Sequence, residues 1–261
     1  MSTIIETLSQ TEEQMRKHRV VSKDEWLAAR KALLEQEKEF THMRDALTRK
    51  RLELPWEKVE KDYVFEGPEG KELLSGLFEG RSQLIVYHFM FAPGWKEGCP
   101  GCSFLCDHID GANQHLAHHD VTLLAVSRAP WKEFMPFKKR MGWKFKWLSS
   151  NGSDFNYDYH VTVRDDEAGK GKVYYNYEAT EGEAGELPGL SVFYKDAAGD
   201  IFHTYSSYGR GGDIFIGAYN FLDIAPKGRN EQQIMDWMRH HDKYEDAMKE
   251  TCACHEKGVA A

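Results

Sequence analysis

Hydrophobic and polar positions change period several times along this chain, and each change predicts an element. Ser22-Lys23-Asp24-Glu25 has capping-box spacing, with a Ser acceptor for an orphan N–H and a Glu to reciprocate. Val21 and Trp26 are placed to close around it as a hydrophobic staple. A helix follows to about Leu52, ahead of Pro55. Trp26, Leu33, Phe40, Leu47 and Leu54 recur every seven residues, but Arg30, Glu37 and Arg44 charge the intermediate positions. So narrow a stripe fits a dimerising arm or, more simply, a helix lying on its own domain.

Tyr63-Val64-Phe65 and Glu72-Leu73-Leu74 flank Gly67-Pro68-Glu69-Gly70, a hairpin signature. Leu84 to Phe91 is apolar almost throughout, as a buried central strand is. Leu105, Ile109, Ala112 and Leu116 step by four, three and four, which predicts a helix over about 100–119. Val121 to Val126 reads as a second buried strand, and Trp131 to Met141 as a helix with Pro130 suited to its first turn. Strand, helix, strand, helix in that order implies a parallel α/β core.

The pattern weakens from Gly142 to Glu186, where a polar aromatic loop precedes Lys172 to Tyr177, a strand within an insertion. Leu190 to Tyr194 and Ile201 to Tyr205 form a second hairpin around a Gly-containing turn. A last helix is expected over roughly Glu231 to Thr251, carrying Ile234, Met235, Trp237, Met238 and Tyr244.

Composition narrows the function classes. The 261 residues are 41% hydrophobic, 13% aromatic and 29% charged, enough for a real core and against wholesale disorder. Acidic residues outnumber basic ones 42 to 34, a net charge of −8, which disfavours a partner bound through phosphate neutralisation. The longest apolar run, Leu84 to Ala92, is far short of the about 20 residues a membrane-spanning helix needs. The N-terminal residues lack the basic and apolar regions of a signal peptide, so a cytoplasmic location is expected.

The five cysteines do not form a secreted-type disulfide framework, yet Cys99, Cys102 and Cys106 fall within eight residues. Cys99-Pro100-Gly101-Cys102 follows a buried strand and opens an amphipathic helix. A thiol there meets unpaired N–H donors, which favour thiolate over thiol. Cys99 is then the attacking thiol and Cys102 the shielded, resolving one, with Lys96 placed to add positive potential. Two helix-packing cysteines or half of a zinc site are the alternatives, but no second CxxC completes four ligands.

That order of strand, CxxC, helix, strand and helix resembles the thioredoxin fold. Leu187-Pro188-Gly189-Leu190-Ser191-Val192-Phe193 resembles the stretch where thioredoxins place a cis-proline facing the CxxC. The resemblance implies a cis Pro188 that helps seat substrate. In order, segments such as YVFEGPEGKELLSGLFEGRSQLIVYHFMFAPGW, CPGCSFLCDHIDG, KKRMGWKFKWLSSNGSDFNYDYHV and HTYSSYGRGGD resemble one bacterial thioredoxin-like family. That family carries a domain-of-unknown-function label and is described as predicted dithiol–disulfide oxidoreductases. The likeness covers about residues 20 to 245 and carries over Cys99 and Cys102 alone. The approach to the CxxC also resembles peroxiredoxins. They place a Thr or Ser three residues, and a Pro seven residues, before the peroxidatic cysteine, where this chain has Lys96 and Ala92.

Weaker constellations invite bland readings. Cys106 is either an auxiliary resolving thiol or a small buried hydrophobe. His108, His115, His118 and His119 suit a solvated helix face better than a metal site, and the same holds for His240 and His241. His88 reads as a hydrogen-bonded core histidine. Cys252-Ala253-Cys254-His255 either binds metal, shuttles electrons to the CxxC or is a loose terminus. Tyr208 to Asp213 is an anion-cradling loop or a plain strand-to-helix turn.

The expected architecture is therefore α/β and thioredoxin-like. It comprises an N-terminal helical extension (1–55), a thioredoxin-like domain (56–228) with an insertion before the third core strand, and a C-terminal helix and tail (229–261). The expected activity is thiol–disulfide exchange through Cys99 and Cys102, with Pro188 and Trp95 binding substrate and Cys106 and Lys96 as auxiliaries. It calls for a protein or small-molecule disulfide and an external thiol reductant, and for no cofactor, metal, nucleic acid or membrane; a homodimer is compatible. The alternatives are a thiol peroxidase and a non-enzymatic redox-sensing or zinc-binding module.

Overall fold

A computed structural model describes residues 15, 17–169 and 171–244. By internal contacts the chain divides into two compact units. One joins residues up to Pro55 with Ala218–Gln232, and the other joins Trp56–Gly217 with residues from Gln233 on.

In the first unit, helix α1 (Lys23–Leu52) starts where the capping box places it. Ser22 Oγ accepts the Glu25 N–H at 3.3 Å, and Glu25 accepts the Ser22 N–H at 3.0 Å. No residue of α1 is buried, and Trp26, Phe40 and Leu47 of its heptad stripe are exposed.

The second unit carries the sheet. Its elements are β1 (Glu57–Lys58), β2 (Val64–Gly67), β3 (Gly70–Leu73), β4 (Gln83–His88), α2 (Pro100–Cys106), α3 (Ile109–His118), β5 (Val121–Ser127), α4 (Trp131–Arg140) and β6 (Trp147–Ser149). The insertion adds α5 (Phe155–Asp158), β7 (Thr162–Val163), α6 (Asp165–Ala168), β8 (Val173–Tyr175), β9 (Glu178–Thr180) and β10 (Gly185–Glu186). Then come β11 (Gly189–Lys195), β12 (Ile201–Tyr208) and α7 (Gly217–Ile224), whose residues from Ala218 on count with the first unit.

Eight strands form one sheet in the order β1-β12-β11-β4-β5-β6-β2-β3. β4 runs parallel to β5, β11 antiparallel to β4, and β12 antiparallel to β11. With the CxxC helix between β4 and β5, that is the thioredoxin-like arrangement. The expected insertion lies between β6 and β11.

Alternation along β4 sorts the core into two faces. Leu84 and Val86 join Phe65, Phe78, Leu124 and Phe155 on one face. Beyond the strand's other face, Phe89, Phe134, Phe137 and Trp147 form an aromatic cluster, with Trp147 centred 4.5 Å from both Phe89 and Phe134.

Three expectations are corrected. The helix over 100–119 is two helices, because Asp107 and His108 break it. The His108 ring Nδ1 bonds the Phe104 carbonyl at 2.8 Å, and Asp107 accepts the Trp143 indole N–H at 2.8 Å. The helix expected over 231–251 is absent from residues 231–240, which are turns and irregular backbone after left-handed Asn230 and around left-handed Met235; a short 3-10 segment (His241–Lys243) then leads into a helical Tyr244, the last described residue there. Pro188 is trans, since no described peptide bond is cis. Trans is the ground state for X–Pro bonds. Here it lies between a Leu187 N–H bonded to Val161 O (2.8 Å) and a Pro188 carbonyl bonded to the Tyr175 hydroxyl (2.7 Å).

Trp147 is 1% exposed and donates its indole N–H to Ser127 Oγ at 3.0 Å. Trp147→Ala is expected to cost about 3–5 kcal/mol, read as a lower denaturant midpoint at unchanged m-value. A midpoint within error of the parent would contradict the placement of this aromatic cluster.

Candidate functional site

The CxxC grows from the end of β4. The Cys99 N–H donates to the Met90 carbonyl at 3.3 Å, folding the loop back on the strand's continuation. Gly98 is required there, because a Cβ would stand 2.5 Å from the Phe89 ring and 2.9 Å from the Phe137 ring. Cys99 is the N-cap of α2, and Pro100 occupies the first turn, where its missing N–H costs nothing. The Cys99 carbonyl accepts from Ser103 twice, at 2.9 Å from the backbone N–H and 2.8 Å from the hydroxyl.

The two thiols have opposite environments. Cys99 is half-buried and makes no side-chain cap hydrogen bond, but the adjacent Cys102 thiol and the backbone N–H groups of Cys102 and Gly101 favour its thiolate. These donors outweigh burial and bring its pKa down to about 6. Cys102 is 2% exposed, and burial drives its pKa well up, the adjacent Cys99 adding to the effect. Its sulfur accepts from the Met90 N–H at 3.5 Å, and this donor and the nearby Tyr87 hydroxyl pull its pKa the other way without overcoming burial. At neutral pH the negative charge thus sits on Cys99 and the proton on Cys102.

Both sulfurs border a cavity of about 260 Å³ with a largely apolar lining. Tyr87, Leu105, Pro188 and Leu190 line its inner wall. Phe215, Ile216, Ile234 and Met235 line the outer one, and Arg210 and Asp213 pair at 3.1 Å on its rim. Met235 Sδ lies 3.2 Å, and Cys99 Sγ 3.7 Å, from where a Gly101 Cβ would stand, so Gly101 leaves room for the thioether beside the motif.

Residues 240–243 tie the chain beyond this wall to the CxxC loop. His240 is buried, and its Nε2 contacts the Gly98 carbonyl at 2.9 Å while Nδ1 contacts Arg140 Nη2 at 3.0 Å. A guanidinium only donates and a carbonyl only accepts, so Nδ1 is the acceptor from Arg140 and Nε2 the donor to Gly98. Glu97 accepts from Lys243 (2.8 Å) and from Arg140, and these cations hold its carboxyl down at about 2. Arg140 Nε also pairs with Asp242 at 2.9 Å.

Of the residues expected at the site, Cys99, Cys102 and Pro188 line one cavity. Trp95 and Lys96 are exposed and do not line it; Trp95 instead stands 6.4 Å from the Phe91 ring. Cys106 is fully buried, its thiol pKa pushed well up by that burial. His115, His118 and His119 are exposed, and among the described residues no three His, Cys, Asp or Glu side chains group to hold a metal ion. Cys252, Cys254 and His255 lie outside the described residues. Arg210 and His240 belong to the loop and the histidine pair singled out in the sequence, whereas Tyr87 and Met235 were not legible as site residues. Only Tyr87 carried a signal, its odd position on a strand leading to the CxxC.

A family model described as a bacterial protein of unknown function (DUF899) matches residues 15–244. No curated protein matches the chain. Among solved structures, the peroxidoxin BcpB of Mycobacterium tuberculosis is 14% identical with a TM-score of 0.38, over 63% of this chain and 94% of that one. Peroxiredoxin Q of Xanthomonas campestris is 12% identical with a TM-score of 0.44, over 64% and 98%. A putative protein disulfide isomerase of Bacteroides thetaiotaomicron is 16% identical with a TM-score of 0.34, over 64% and 91%. The fold assignment rests on strand order and direction, not on these likenesses.

Alkylation of the reduced protein with iodoacetamide, followed by peptide mapping, is expected to label Cys99 first. Its rate should fall as pH drops through about 6, because the thiolate exists above that value. Cys102 and Cys106 should stay unlabelled until the chain unfolds. A Cys99 midpoint near the free-thiol value of about 8.5 contradicts this proton placement.

Proposed function

Because the chain belongs to a bacterial family of unknown function (DUF899), and membership assigns no activity, we propose its function from the dithiol: thiol–disulfide exchange between Cys99–Cys102 and a substrate disulfide. The observation that carries it is the unequal pair: a half-buried Cys99 thiolate over a buried, protonated Cys102, both opening on one apolar cavity.

The steps balance on these residues. The Cys99 thiolate attacks one substrate sulfur, forming a mixed disulfide and releasing the other sulfur as a thiolate. Bonding to substrate removes the negative charge from Cys99, and with it one of the causes that keep Cys102 protonated. Cys102 gives up its proton and attacks the Cys99 sulfur. The second substrate thiol leaves, and two electrons have passed from the dithiol to the substrate. An external thiol reductant returns Cys99–Cys102 to the reduced state, and an oxidising partner runs the sequence backwards. Pro188, on the cavity wall beside both sulfurs, is placed to seat the substrate. Trp95 and Lys96, outside that wall, have weaker support.

Peroxide reduction has less behind it. Lys96 and Ala92 stand where a peroxidatic site places a hydroxyl and a proline. Without that hydroxyl, a developing oxyanion lacks a positioned donor.

Titration in glutathione buffers with alkylation and peptide mapping is expected to show one reversible Cys99–Cys102 bond with a definite midpoint. Cys99→Ser should abolish turnover of a disulfide substrate, and Cys102→Ser should accumulate the mixed disulfide. Full turnover in both variants, or no Cys99–Cys102 bond under oxidising conditions, overturns the reading.

A further inference from the structure

A second cavity, of about 480 Å³, opens on the opposite face of the sheet. The separation follows from strand alternation. Tyr87 lines the dithiol cavity, whereas His88 packs against Tyr159, a wall of the second one. On β12 Ser207 lines the first cavity and Tyr208 the second. The volume is within the range of small-ligand sites.

Aromatic rings dominate its walls: Tyr63, Tyr159, Tyr174, Tyr177, Tyr208 and the imidazole of His203. Several meet edge to face, Tyr159 with His203 at 5.2 Å and Tyr177 with Tyr208 at 5.5 Å. Such walls turn ring faces in several directions around one space.

The charge on the lining is negative. Glu57, Glu60 and Asp158 contribute carboxylates. The two ammonium groups are already paired, Lys58 with Asp200 at 2.8 Å, and Lys61 with Asp154 at 2.7 Å and Asp158 at 2.8 Å. Lys61 Nζ also stands 5.6 Å over the Tyr63 ring, so one face of the cage already receives a cation. Burial keeps His203 neutral, and its nearest acid, Glu57, is 3.6 Å away with a largely exposed side chain.

Two observations shape the site. Tyr159 is only 7% exposed and borders the cavity, and its hydroxyl bonds to no described residue but stays accessible to solvent or a ligand. Tyr177 sits in the two-residue turn between β8 and β9 at φ 67°, after Asn176 at φ 53°. Hairpin turns of that hand take Gly at low cost, and a large side chain there is strained. The strain holds the Tyr177 ring at the cavity with its hydroxyl on the Ser206 carbonyl at 3.0 Å.

We propose that this cavity binds a small organic cation, a quaternary ammonium or protonated alkylamine, between the tyrosine faces, with Glu57 and Glu60 at its rim. Ring faces attract a desolvated cation through their quadrupole, and uncompensated carboxylates supply the long-range field. The proposal is independent of the dithiol chemistry.

Calorimetry on the full chain tests it, with choline as the probe and 3,3-dimethyl-1-butanol as its uncharged isostere. Choline is expected to bind about tenfold tighter than the isostere. Tyr177→Gly, which relieves the turn, and Glu57→Gln, at an exposed position, should each weaken choline several-fold while the thermal midpoint stays near the parent's. Absence of saturable choline heat, equal affinity for the isostere, or choline binding unchanged in both variants would each overturn the proposal.

Discussion

The rest of this domain depends on side-chain alternation along β4. Gln83–His88 lies between β5 and β11, hydrogen-bonded on both edges, so neither its register nor its facing is free to slip. Tyr87 therefore lies on the face that carries α2 and meets the Cys102 sulfur. His88, one residue on, enters the opposite core, where its Nε2 reaches Ser191 Oγ at 2.8 Å. From there a hydroxyl chain runs through Ser206 to His203, at 2.8 and 2.7 Å. A bulge makes this possible. Val192 pairs with Tyr205 and Phe193 with His203, leaving Thr204 over, so His203 and Ser206 share a face although three apart.

The dithiol uses the same division. Burial keeps a thiol protonated unless donors outweigh it, and at Cys102 and Cys106 burial wins. Cys99 differs by position: at the N-cap it lies next to the backbone N–H groups of Gly101 and Cys102, which no helical carbonyl can take. Exposure alone would leave it near an ordinary thiol. The neighbouring Cys102 thiol makes the largest contribution to the downward shift, so the proton kept on Cys102 favours the charge on Cys99.

What the sequence made legible is what local rules decide. The capping box, the Gly-rich hairpin turn, the two buried strands and the strand–CxxC–helix junction each rest on neighbouring residues, and each is present. The failures are places where tertiary partners outbid local preference. The periodicity of Leu105, Ile109, Ala112 and Leu116 continues unbroken past Cys106. Asp107 nevertheless spends its carboxylate on Trp143 and His241. Over 231–240 the expected helix gives way to turns that bring Asp242 and Lys243 to Arg140 and Glu97, over 100 residues distant in sequence. No window of sequence contains both partners. His240 had looked like a solvated histidine for the same reason: Gly98 and Arg140, which bury and fix it, are remote.

Backbone strain follows the cavities rather than the turns in general. Seven non-glycine residues among those described have left-handed backbone. Most are Asn, Asp or His, types that tolerate it, or sit at exposed corners. Tyr177 and Met235 are different: neither side chain relieves the conformation locally, and each stands on a cavity wall. His160 and Asn176 border the same cavity as Tyr177. A strained residue persists only where its surroundings over-determine it. At Met235 the surroundings are the buried Met238 and His240 that follow, which hold the thioether beside Cys99. At Tyr177 they are the β8–β9 pairing and the Ser206 carbonyl. In both, glycine would satisfy the backbone and a large side chain is kept, so the conformational cost is borne at the walls of the two cavities.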